Sequence, residues 1–110
     1  MNRVNLFILL NNIIPTYSVG QIRGTIEENC CVLRRGVDVP STSNRLGHWD
    51  SWYIDIYSPV SLSDIDDIIH RIRVELKEVA EIENLQSGDY YDEVLRAFSS
   101  TMMIRIPNIY

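Results

Sequence analysis

The residues best suited to chemistry lie close together in "SLSDIDDIIH", where Asp64, Asp66 and Asp67 precede His70. Carboxylates beside an imidazole can bind a divalent cation or share acid–base work. A metal site, however, needs inward-facing acids and further ligands. Here the inward stripe is Ile65, Ile68, Ile69, Ile72 and Leu76, at helical spacing. The acids have a structural role that suffices. Ser61 or Ser63 caps a helix, the aspartates sit where the helix dipole favours negative charge, and Arg71, Arg73 and Lys77 follow where it favours positive charge. The stretch therefore reads as a helix start. His70 borders the stripe and has no nearby Ser or Cys to act with it as a nucleophile.

Cys30 and Cys31 are the other reactive candidates. Neighbours on a strand point to opposite faces, so they do not bridge each other. They fit no zinc spacing with His48 and His70, and they read as two small buried residues in a reducing compartment. No G-x-G-x-x-G, G-x-x-x-x-G-K-[ST], G-x-S-x-G or H-E-x-x-H pattern occurs. The expectation is a protein that is not an enzyme and uses no cofactor or metal.

The elements that position these residues must fit within 110 residues, of which 45% are hydrophobic and 23% charged. That suits one α+β domain spanning 1–110, burying roughly two thirds of its unfolded surface. The net charge of −5 and pI near 4.8 argue against a dedicated nucleic-acid binder, which needs a basic face. The apolar run "LFILL" is interrupted by Asn11 and Asn12, too short for a signal peptide or a membrane span. The chain is expected to stay in the cytoplasm of the cell that makes it.

Apolar positions 4, 6–7, 9–10 and 13–14 predict an amphipathic helix, with Asn2 as cap and Pro15 as its stop; a strand through "LFILL" competes. Residues 16–28 read as a turn-rich connection with a short strand around "QIRGTI". "NCCVLRRG" is a strand closed by Gly36, and "VDVPSTSNRLG" a loop with a short strand at its start. In "HWDSWYIDIYS", Trp52, Ile54 and Ile56 share a strand face, with Trp49, Ser51, Tyr53, Asp55 and Tyr57 on the other. That second face is aromatic with polar tips, and suits either a protein contact or a second packing layer. Pro59 ends the strand, and the following helix runs out near residue 79. Val79, Ile82 and Leu85 suggest a short strand or irregular turn, and "SGD" at 87–89 a turn. From residue 96 the pattern alternates: Phe98, Met102, Ile104 and Ile106 share a face, and Pro107 ends the strand. A helix over "YDEVLRAF" competes for its first part. The expected core is Trp52, Ile54, Ile56, Ile65, Ile68, Ile69, Ile72, Phe98, Met102 and Ile104.

The block "WDSWYIDIYSPVSLSDIDDIIHRIRVEL" resembles the aromatic strand, short loop and long helix of phage tail terminator and tail-completion proteins. "YYDEVLRAFSSTMMIRIP" resembles their closing strand, and "CCVLRRG" would be the preceding one. Tyr57–Ser58 stands where such proteins often carry Trp–Ser. The likeness covers about half the chain and is one of packing pattern. It implies a small α+β subunit; with the elements read above, the expected fold is a small antiparallel or mixed sheet packed against one long helix plus an N-terminal helix. It further implies a homo-oligomeric, hexameric ring that caps the tail tube and joins it to the head–tail connector or stopper protein. DNA would pass through that ring without sequence-specific binding and without membrane contact. Localisation would be the virion, at the head–tail interface, after assembly in the host cytoplasm. Interface residues expected on this view are Arg45, Trp49, Tyr53 and Tyr57, with the loop from Val37 to Gly47 reaching a neighbour or the tube. Rival readings are a head–tail stopper or head-completion protein, a non-viral adaptor module, and an unrecognised small enzyme.

Overall fold

The computed structural model describes residues 3–36, 39–40, 47–77 and 81–109, with backbone alone for 39–40, 47–49, 81–88 and 107–109. Asn2 and most of the 37–46 loop lie outside the described residues, as do 78–80. The fold is α+β. In chain order it comprises α1 (Arg3–Ile13), β1 (Thr16–Ser18), β2 (Cys30–Arg35), β3 (Val39–Pro40), β4 (Gly47–Ser58), α2 (Leu62–Leu76), β5 (Glu81–Asp92) and β6 (Ala97–Ile109). The mixed sheet has the order β1-β2-β4-β6-β5, with β3 pairing β4 off this path. Only the β1–β2 pair is parallel among those described; the β2–β4, β3–β4, β4–β6 and β5–β6 pairs are antiparallel.

Both helices pack on one face of the sheet. Leu6 and Leu10 of α1, with Ile14 just beyond it, join Ile65, Ile68, Ile69, Ile72 and Leu76 of α2. These meet Cys31, Leu33, Trp52, Ile54, Ile56, Met102, Ile104 and Ile106, the alternate positions of β2, β4 and β6. Each fully buried isoleucine contributes on the order of 1.5–3 kcal/mol by leaving water. All but one of the expected core residues are buried there; Phe98 is half-buried, stacked edge-on against Tyr91 at 5.1 Å.

Helix α1, and no strand, occupies "LFILL". It closes with Ile14 N donating to Leu10 O at 3.0 Å, and Asn11 Oδ1 accepts from Thr16 N at 3.0 Å as Pro15 turns the chain into β1. Ser61, not Ser63, caps α2, accepting from Asp64 N at 3.2 Å. Ser58 Oγ accepts from Val60 N and Ser61 N, holding the turn between β4 and α2.

Five details depart from the sequence reading. The short strand lies at Thr16–Ser18, because these residues pair with Cys31–Leu33, while Gly20 and Gly24 take positive φ and keep "QIRGTI" irregular. "SGD" lies inside β5, which bulges instead of turning: between Ser87 and Tyr90, three steps on β5 match two on β6, from Thr101 to Ser99. The reversal comes later, where Asp92 Oδ1 accepts from Val94 N and Leu95 N, and Arg96 adopts φ 55°; "YDEVLRAF" is strand and turn, not helix. Pro107 does not end β6, which pairs with β4 out to Gly47↔Ile109. The described β5 pairing stops at Arg105, so beyond it a missing N–H costs β6 no ladder bond on that side. Finally, α2 ends at Leu76, with Lys77 as C-cap, short of residue 79.

Candidate functional site

The face of the sheet opposite the helices carries Val32 and Arg34 of β2, Tyr53, Asp55 and Tyr57 of β4, and Ser99, Thr101 and Met103 of β6. Strand alternation assigns them there, and register places Asp55 between Val32 and Thr101. Asp55 is the centre of a network. Arg34 donates to both its oxygens, Nε to Oδ2 at 2.8 Å and Nη2 to Oδ1 at 3.3 Å. Thr101 Oγ1 donates to Oδ1 at 2.6 Å. The Arg34 guanidinium lies 4.4 Å from the Tyr53 ring centroid, so one cation is oriented by a carboxylate and an aromatic face together. The Asp55 bond raises the Arg34 pKa above its ordinary value.

Gly36 explains how the Tyr53 ring is seated. A Cβ there would fall 2.7 Å from Tyr53 Cε2, so the ring lies against bare backbone. Gly36 N also donates to Ser51 O at 2.7 Å, extending the β2–β4 ladder.

Toward the other end, the 19–29 connection folds onto this face. Ile26 N donates to Leu95 O at 2.8 Å, and Ile26, Cys30 and Ala97 form a second small core edged by Tyr17, Ile22, Tyr57 and Leu95. Burial there pushes the Tyr57 phenol up to about 12, with Asp55 and Tyr90 adding to the shift. Tyr57 is therefore a neutral hydroxyl over the physiological range. Between the two regions runs a groove of about 250 Å³ lined by Ser18, Val19, Ile22, Val32, Arg34 and Tyr57.

Tyr53 and Tyr57 thus share one face, as expected. Trp49 is in β4, paired with Val39 and Pro107 along the backbone, and its side chain lies outside the described residues, as does all of Arg45. Arg34 and Thr101 were not among the expected site residues. Alternation puts Arg34 on the same face as Cys30 and Val32, but pairing it with Asp55 needs the β2–β4 register.

The aspartates of α2 behave as a helix start. Asp64 Oδ2 accepts from Asn29 Nδ2 at 3.0 Å, while Asp66 and Asp67 are exposed. Among the described residues, no three His, Cys, Asp or Glu side chains converge as metal ligands. The cysteines are free and buried on opposite faces. Burial raises each thiol to about 11, with Cys31 and Glu28 adding to the Cys30 shift; the Thr16 hydroxyl 3.3 Å away partly offsets the rise at Cys31. Both are protonated, weakly nucleophilic thiols at neutral pH. Among the described residues no helix is long and apolar enough to cross a membrane.

No protein-family model matches this chain, and no curated protein matches it significantly. The site must be read from its own geometry. Both oxygens of Asp55 are engaged, the Tyr57 phenol is neutral and the thiols are protonated. What the face presents is aromatic rings, an oriented guanidinium and hydroxyl groups on a sheet.

Proposed function

We propose that this chain is a tail terminator subunit, a structural protein that forms a ring, hexameric by the resemblance, at the end of a phage tail tube and joins it to the head-side connector. The helix-free sheet face carries this reading. Tyr53, Tyr57 and Arg34 are residue types favoured at interface centres, and Asp55 and Thr101 hold Arg34 in place before any partner arrives. Preorganisation lowers the entropy lost on docking. Support also comes from the α+β layout of a long strand, α2 and a closing strand, in the order the resemblance implies. The face is assigned here to the tail tube or the connector. An acidic subunit suits a channel wall that lets DNA slide, because phosphate binding requires Lys and Arg. Negative-stain microscopy of the purified protein, alone and with tail tubes, tests the proposal. Rings, free or seated on tube ends, are expected; particles that never form rings under either condition contradict it. A head–tail stopper would instead bind connectors and leave tube length unchanged.

A further inference from the structure

The 19–29 connection arches over the open sheet face, and it is held lightly. Ile26 is its single buried residue; Ile22 and Asn29 are half-buried, and the others from Val19 to Glu28 are exposed. Beyond the local turn at Ser18–Gln21, two hydrogen bonds tie it to the body among the described residues. Ile26 N donates to Leu95 O at 2.8 Å, and Asn29 Nδ2 to Asp64 Oδ2 at 3.0 Å. Arg23, Glu27 and Glu28 form no ion pair with a described residue. Gly20 and Gly24 take φ 85° and 76°, and a Cβ at either would meet nothing within 4 Å, so both are unpacked and free to turn. A cleft of about 690 Å³ is lined by Tyr17 and Cys30 of the sheet and by Gln21, Arg23, Ile26 and Glu28 of the arch. The 250 Å³ groove reaches the arch again at Val19 and Ile22. The arch is thus edged by two openings and pinned at Ile26.

What Ile26 covers belongs to the face assigned to the tube or connector. Its seat is formed by Cys30, Ala97, Leu95 and Tyr57, and Tyr57 shares its strand face with Tyr53. The seat takes one aliphatic side chain and bonds that residue's own amide to a backbone carbonyl. Proteins bind partner segments by this pair of contacts, a side chain in a pocket and main-chain bonds beside it.

We propose that residues 19–29 are a displaceable strap: Ile26 holds a seat meant for an aliphatic side chain of the protein that docks on this face, and the strap swings out about Gly20 and Gly24 to yield it. The identity of that partner, a segment of the tube or connector protein, rests on the ring-subunit reading; the seat and the motion rest on this chain alone. Opening gives up one buried side chain and leaves the main core intact, so it belongs to the low-cost end of local unfolding.

Two thiols test the motion. Cys30 lies in the seat and Cys31 in the main core, and burial brings both to about 11, so access and not acidity separates their rates of alkylation. Iodoacetamide labelling, resolved by mass spectrometry, should modify Cys30 about tenfold faster than Cys31 or more, with little dependence on urea, while Cys31 labelling rises with urea as global unfolding does. Equal urea dependence at both sites would mean that the strap opens only with the whole fold, and would overturn the motion. Ile26→Ala should speed Cys30 labelling by about tenfold. In that variant, an acetylated peptide of residues 22–28 at millimolar concentration should slow it again, and the same peptide with Ala for its second Ile should not. Peptides that act alike, or not at all, would overturn the seat. Ile26→Ala should also dock to tail tubes about tenfold more tightly than wild type, because the closed strap competes less. If wild type docks and the variant docks no better, the strap's role fails and the terminator reading stands. If neither docks while labelling and peptides behave as expected, the strap and seat stand and the terminator reading fails.

Discussion

Asp55 illustrates how a residue acquires a role from its neighbours. By itself it is one acid among many; between Arg34 and Thr101 it anchors a cation on an aromatic surface. The Arg34 side chain is 43% exposed, so Arg34→Ala should cost no more than about 1 kcal/mol of stability in urea titrations, while weakening docking to tubes measurably. Loss of stability without loss of docking would reduce the network to packing. The buried thiols and Tyr57 predict an alkaline limit. Folding holds the Cys30 and Cys31 protons to about 11 against an ordinary 9.0, and the Tyr57 proton to about 12 against 10.0. The folded state thus favours the protonated forms. Their contribution is complete below about pH 9 and is lost as pH rises through 9–11 for the thiols and 10–12 for the phenol. Urea midpoints should fall across those windows, and Tyr57→Phe should flatten the upper one; an unchanged alkaline slope in that variant would argue against a buried phenol. Opposite-face cysteines and the two tyrosines on one face were legible from period two alone. The Arg34 partner was not, because register is a tertiary property.

Helix α2 is the element that turns the isoleucine stripe into a core. Ile69→Ala should lower stability by about 2–5 kcal/mol, read from its melting curve, since the side chain is buried in the core shared by the helices and the sheet. An unshifted curve would take α2 out of the core. Exchanging Asp66 and Asp67 for Asn should cost at most about 1–2 kcal/mol, because both are exposed near the helix start. Adding magnesium, calcium or manganese should not raise the melting temperature, and a saturable rise would reopen the metal reading. Helix α2 and β4 were readable because their periods are strong, and Pro15 and Pro59 mark the breaks. Strand β5 was not. Its "SGD" carries a turn signal, yet pairing with β6 absorbs the extra residues as bulges, so tertiary pairing overrides local preference. Pro107 misled for a related reason: a proline ends a central strand, but not one whose described pairing on one side has already stopped.

On the scale of the whole molecule, the helices cover one sheet face and leave the other to Tyr53, Tyr57, Arg34 and the folded-over 19–29 connection. This division follows from the alternation of β4, whose two faces differ in polarity before any fold exists. The α+β architecture could be anticipated from it; the way the connection closes part of the open face could not, since Gly20 and Gly24 determine a path with no periodic signature. The proposed role makes a demand on assembly rather than on chemistry: a ring at the tube end stops growth and receives the head. The most direct measurement is a tail-assembly reaction with and without this protein, scored by microscopy for tube length and head attachment. The account predicts overlong or headless tubes in its absence and recovery when wild-type protein is added back. Tubes of normal length, joined to heads without it, would contradict the account.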